Sequence, residues 1–155
     1  MPLAIGTSLP SFDSATHWLD GPPPASAFAR SRPLLVQFWA VSCPICKLNM
    51  PSVLSLLDTY RDQRLELISV HRPRMESDTD VEKVRAAAQD LHLTGSCAID
   101  NDHTVGDLFQ TASVWPCYFF FDADGKLRSR AAGQLGLKMA ENSLKRLFAA
   151  EPLPV

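Results

Sequence analysis

From Pro33 the chain reads PLLVQFWA, a short apolar run rich in β-forming residues that predicts a strand buried on both faces. Such a strand belongs in the middle of its sheet. Behind it, from Pro44 to about Tyr60, Ile45, Leu48, Val53, Leu56, Leu57 and Tyr60 recur at helical spacing, with Pro51 placed to kink the helix. RLELISVH, from Arg64 to His71, predicts a second strand. Thr79 and Glu82 match a capping box, and Val81, Val84, Ala88 and Leu91 form one apolar stripe on a helix ending near Gly95. SCAID (Ser96 to Asp100) predicts a short strand, His103 to Gln110 a short helix, and CYFFFD (Cys117 to Asp122) another buried strand. Asp124-Gly125 should turn that strand into a hairpin with KLRSRAA. Leu137, Ala140, Leu144, Leu147 and Phe148 mark a terminal amphipathic helix. Ahead of all these, Gly21-Pro22-Pro23-Pro24 separates a short strand, Thr16 to Leu19, from a brief helix around Ala25 to Arg30. This order predicts an α/β fold, a central mixed β-sheet flanked by helices on both faces, with an N-terminal extension.

The length, 155 residues, fits one domain: an extension over 1–32 and a core over 33–150. Hydrophobic residues at 46%, charged residues at 21% and a mean hydropathy of -0.04 describe a folded chain rather than a disordered one. Fifteen Lys and Arg against seventeen Asp and Glu leave a net charge of -2, which argues against nucleic acid as a partner. The most apolar run is interrupted by Gln37 and falls short of half the ~20 residues that span a bilayer, so no membrane partner is expected. MPLAIGTSLPSFDSATHW has no basic start and no apolar stretch before Pro10. For the chain as it stands the expected location is the cytoplasm, where dithiols rest reduced; an upstream export segment would change that. A monomer is expected.

Four cysteines are too few for a disulfide-stapled scaffold, and a domain of this size needs none. Cys43-Pro44-Ile45-Cys46 lies where a buried strand ends and a helix begins. Three-residue spacing puts both sulfurs on one face of the first turn. At the helix N-terminus, free N–H groups and the positive dipole end stabilise a thiolate, which makes Cys43 the nucleophile and Cys46 the resolving thiol. Pro44 suits the first helical position. The alternatives are a half zinc site or two inert core thiols; Cys97 and Cys117 form no second knuckle, so no metal is expected.

Further stretches share this context: Trp18-Leu19-Asp20-Gly21, LLVQFWAVSCPICK, Pro51 eight residues after Cys43, Val70-His71, Asp100-Asn101-Asp102, and WPCYFFFDADGK from Trp115 to Lys126. Together they make the chain resemble the thioredoxin-like superfamily, and more narrowly the TlpA/DipZ-type thiol–disulfide oxidoreductases, a group that includes the thioredoxin-like domain of NHL-repeat proteins. The resemblance implies a thioredoxin-like fold and dithiol–disulfide exchange with no organic cofactor. It implies protein or small-molecule disulfide substrates and an unknown thiol electron donor. It also implies that Pro116 is cis, packs against the two cysteines and presents the backbone of Trp115 to substrate, with Pro44 beside it. Three positions depart from thioredoxin. Gln37 stands where a buried Asp handles the resolving thiol's proton, Ser42 replaces a Trp, and the central dipeptide is Pro-Ile. The reduction potential is therefore open across roughly -270 to -120 mV.

Other residues keep two readings. Cys117 is either a core thiol or an auxiliary redox thiol, and Trp115 either faces substrate or packs over the site. Lys47 either stabilises charge near Cys46 or is an exposed helix lysine, and Trp39 reads as core before chemistry. Cys97 reads as a buried strand thiol. His71 reads as a solvated strand-end histidine before one that approaches the catalytic edge, and Asp78, Asp80 and Glu82 as helix-capping acids. Two other functions compete with the oxidoreductase. One is a peroxiredoxin-like thiol peroxidase, against which Ala40 stands where such enzymes carry Thr or Ser. The other is a redox-linked peptide-binding module.

Overall fold

The computed structural model describes residues 3–23 and 31–150; the helix expected around Ala25 to Arg30 lies outside them. Among the described residues, six strands form one sheet: β1 (His17–Trp18), β2 (Leu34–Trp39), β3 (Glu66–His71), β4 (Ser96–Ile99), β5 (Cys117–Phe121) and β6 (Leu127–Ala132). Their spatial order is β1-β4-β3-β2-β5-β6. Among the same described residues four α-helices connect or follow them: α1 (Pro44–Thr59), α2 (Val81–Asp90), α3 (Thr104–Phe109) and α4 (Gly136–Ala150).

Every residue of β2 is buried, because it runs parallel to β3 on one side and antiparallel to β5 on the other. Strand alternation then sorts its side chains. Leu34, Val36 and Phe38 pack with Ile68, Val70, Cys117, Phe119, and Val105 and Phe109 of α3; Leu3 and Phe12 close that face. On the other face Leu35 meets Val53 and Leu56 of α1 and Leu144 and Phe148 of α4. There too Trp39 meets Met50 of α1 and Val84 and Ala88 of α2. Helices thus cover both faces, as the element order predicts. Each fully buried Leu, Val or Phe contributes about 1.5–3 kcal/mol.

The hairpin between β5 and β6 closes as expected at Asp124-Gly125. Asp122 fixes it, its Oδ1 accepting from the N–H groups of Asp124 and Lys126, each at 3.0 Å. Gly95 is obligatory at its turn: φ is +82°, and a Cβ there would lie 2.8 Å from the Leu67 carbonyl oxygen.

One local expectation changes. The cap of α2 is Asp80, not Thr79: the helix starts at Val81, and Asp80 Oδ1 accepts from Glu82 N at 3.0 Å. The Thr79 hydroxyl instead donates to the Glu76 carbonyl at 2.7 Å in a 3-10 turn over Glu76–Thr79. Pro51 lies inside α1, where its absent N–H leaves the Lys47 carbonyl without an intrahelical donor. Among the described residues no helix is long and apolar enough to cross a membrane.

Candidate active site

β2 and β3 run parallel in register, ending opposite each other with Trp39 paired to His71. The segments that follow, 40–43 and 72–78, therefore leave the sheet at the same edge and meet there. Cys43 is the N-cap of α1, and its Sγ accepts from the N–H of Cys46 at 3.1 Å, taking the place of a capping oxygen. The two cysteines form a disulfide with a Cα–Cα distance of 5.3 Å, and each is 3% exposed. Pro44 occupies the first helical turn and is exposed, as is Lys47. When the dithiol is reduced, the same N–H and the helix dipole favour charge on Cys43, the first cysteine.

The loop before the nucleophile is held by two groups from the β3 side. His71 Nε2 accepts from Val41 N at 3.0 Å. Asp78 accepts from Ser42 N at 3.1 Å, from the Ser42 hydroxyl at 2.6 Å and from Arg74 N at 2.9 Å. The Arg74 side chain closes the circuit by donating to the Ser42 carbonyl. Burial pushes the Asp78 carboxyl up, but the hydrogen bonds from Ser42 and from the Arg74 backbone outweigh it and hold its pKa below the ordinary value. Asp78 is thus not a helix cap. His71 is not solvated either: it is 0% exposed, with the Trp39 ring edge-on at 4.9 Å between centroids. Asp78→Asn converts an ionic acceptor of three donors into an amide with one oxygen, and should lower stability by about 2 kcal/mol. A chemical-denaturation midpoint unchanged from wild type would contradict that role.

The peptide bond between Trp115 and Pro116 is cis. Trp115 is half-buried and packs against the apolar cluster that contains Cys43, Cys46 and Trp39. Its indole N–H donates to the Arg72 carbonyl at 2.9 Å. Cys117 faces the opposite side of the sheet, in the cluster with Phe38 and Phe119, and donates to the Val114 carbonyl at 3.2 Å. Burial pushes its thiol up to about 11. Cys97 lies on the dithiol's side, and burial pushes its thiol up to about 12. Gln37 is buried, donating to the Ser69 hydroxyl at 2.8 Å and to Met50 Sδ at 3.3 Å. Among the described residues no group of three or more His, Cys, Asp or Glu side chains could hold a metal.

A family model described as AhpC/TSA matches residues 5–130. The chain belongs to the AhpC/TSA family. It is 36% identical over 141 residues to the thiol-disulfide oxidoreductase YkuV of Bacillus subtilis strain 168, covering 91% of this chain and 94% of YkuV. It is 27% identical over 148 residues to the protein DipZ of Mycobacterium bovis, covering 94% of this chain but 21% of DipZ. The solution structure of a thioredoxin-like protein in the oxidised form superposes with a TM-score of 0.84 at 33% identity, covering 97% of this chain and all of that one (100%). The AhpC/TSA chain therefore has the thioredoxin-like fold and is a thiol–disulfide oxidoreductase by relationship.

Spacing together with the strand-to-helix context points to Cys43 and Cys46; His71 reads as solvated before it reads as part of the catalytic edge, and neither Arg72 nor Asp78 is marked as part of the site. A signal for them was present. Two strands predicted to be parallel neighbours imply that the residues just beyond their ends meet, and the second of those segments is HRPRMESD.

Proposed function

We propose that the chain reduces disulfides of protein substrates by dithiol exchange, as a monomer recharged by a thiol donor. The observation that carries this reading is the Cys43–Cys46 disulfide at the start of α1, with Cys46 N–H on Cys43 Sγ. The Cys43 thiolate attacks one sulfur of the substrate disulfide, forming a mixed disulfide and expelling the other sulfur as a thiolate. That thiolate takes the proton of Cys46. Cys46 then attacks Cys43 Sγ, closing the internal disulfide and releasing the second substrate sulfur; two electrons pass to substrate. The Gln37 amide neither takes up nor releases a proton at neutral pH, and in this reading the departing substrate thiolate serves as the base in place of a carboxylate. Pro116, Trp115 and Pro44 form the docking edge, with the backbone of Trp115 paired to the extended substrate chain.

Exchange is favoured over peroxide chemistry by Ala40 and Ser42. Ala40 has no hydroxyl, and the Ser42 hydroxyl is given to Asp78 at 2.6 Å. The test is to mix the reduced protein with oxidised insulin-type substrate and count released thiols. One pair per chain, matched by formation of the Cys43–Cys46 disulfide, is expected; no release above the free-dithiol background overturns the assignment.

A further inference from the structure

We propose that Arg72 is the positioning residue that holds Trp115 and the segment 111–116 ready for a protein substrate, an inference that rests on the exchange reading above. Arg72 directly follows β3, and its N–H donates to the Trp39 carbonyl at 3.0 Å, so its backbone is fixed to the end of β2. Its carbonyl receives the Trp115 indole N–H at 2.9 Å, and its guanidinium lies 4.9 Å from the centroid of the same ring. The indole is thus held at its edge and on its face by one residue. Beyond the ring the guanidinium spreads over two more elements. Nε donates to His103 Nδ1 at 3.1 Å, and Nη1 donates to Thr111 Oγ1 at 2.8 Å and to the Ala112 carbonyl.

Arg72 is 8% exposed, and among the described residues no carboxylate lies within ion-pair distance of it. Burying a charge without a direct partner costs several kcal/mol, and an apolar side chain would fill the same space without that cost. What the arginine adds is a planar fork of donors that can stack on a ring while reaching acceptors in two loops, which a lysine cannot do. The surrounding chain is shaped for it. A Cβ on Gly106 would lie 2.7 Å from Arg72 Cδ and Nε, so any side chain there would push the guanidinium out of its place. Asp100 holds the start of α3 in place, accepting from Val105 N at 2.9 Å and Gly106 N at 2.8 Å.

Trp115 is the residue whose backbone an extended substrate would pair with, so fixing its ring and the two residues at 111 and 112 sets the docking edge. A small disulfide needs only to collide with Cys43; a protein disulfide must also lie along that edge. Arg72→Met keeps the volume and removes every side-chain donor; Arg72→Lys keeps the charge but not the fork. With insulin as the protein disulfide and dithiobis(nitrobenzoate) as the small one, Arg72→Met should raise KM for insulin about 10-fold. The insulin-to-small-disulfide rate ratio should fall by the same factor. Arg72→Lys should recover part of that ratio, and Trp115 emission, isolated against a Trp115→Phe control, should shift to the red. Gly106→Ala, which displaces the guanidinium without removing its charge, should reproduce the KM effect and serves as the test if Arg72→Met does not fold. An unchanged insulin KM in the folded variants, or insulin and small-disulfide rates that drop together, would overturn the proposal. A wild-type protein that reduces neither disulfide would instead overturn the oxidoreductase reading.

Discussion

Cys43→Ser should reduce protein-disulfide reduction by at least about 1000-fold, the scale on which loss of a covalent nucleophile acts. Misfolding does not account for such a loss. Serine is a preferred N-cap, and its oxygen can take over the hydrogen bond that Cys43 Sγ accepts from Cys46 N at 3.1 Å, so α1 should keep its start. What disappears is the polarisable thiolate. Cys46→Ser should behave differently, because the first attack survives and the second is blocked: the mixed disulfide between Cys43 and substrate accumulates and is visible as a covalent adduct by mass. Activity in Cys43→Ser equal to wild type would refute the assignment of the nucleophile. Capture of substrate by Cys46→Ser that is wholly non-covalent would favour a peptide-binding module, and peroxide consumption far faster than an ordinary thiol would favour a peroxidase.

The order of elements could be read from periodicity because each one has a local cause. β2 is an apolar run broken only by Gln37, α4 carries a stripe, and the hairpin has an Asp-Gly turn. Cys43 and Cys46 were legible for the same reason, since their relationship spans one helical turn. Alternation also decides Cys117. It sits opposite Phe38 in the β2–β5 register and shares that residue's face, while Trp39 and the dithiol share the other. The residues misread or passed over act over long range. Ser42 and Asp78 are 36 residues apart, and Arg72 and Thr111 are 39 apart. A histidine at the end of a strand looks solvated until the neighbouring strand's Trp39 and the following Val41 are known to close over it. Likewise an acid just ahead of a helix looks like a cap until the Ser42 loop is seen to take it. Propensity ranks such residues by what is adjacent in sequence, whereas their energy comes from donors brought in by the parallel pairing of β2 and β3.

His71 should make the protein acid-sensitive well above the range in which carboxylates titrate. Its Nε2 accepts the Val41 N–H, so that nitrogen carries a lone pair and the neutral ring has its proton on Nδ1. Burial lowers its pKa to about 4, against an upward pull from the Asp78 charge. An unfolded histidine titrates near 6.5. Between these values the unfolded chain binds a proton that the folded chain refuses. The stabilisation is therefore complete above about pH 6.5 and is lost as pH falls towards the folded value, about 3 kcal/mol in all. Asp78, with a lowered pKa, adds a loss of the same sign at lower pH, whereas Asp100, raised by burial, opposes it. Comparing wild type with His71→Gln at each pH cancels the Asp100 contribution, and Asp78, its pKa held below the ordinary value, stays ionised over the interval compared. Gln retains an acceptor for Val41 N–H and cannot charge, so the gap between the two urea stabilities should shift by about 2 kcal/mol in the variant's favour between about pH 7 and pH 5. Parallel stability curves over that interval would show that His71 titrates normally. The coupling is local to the chemistry: charging His71 requires a proton on Nε2, which evicts the Val41 N–H two residues before the nucleophile, so the Cys43 loop is the first part of the fold that acid should loosen.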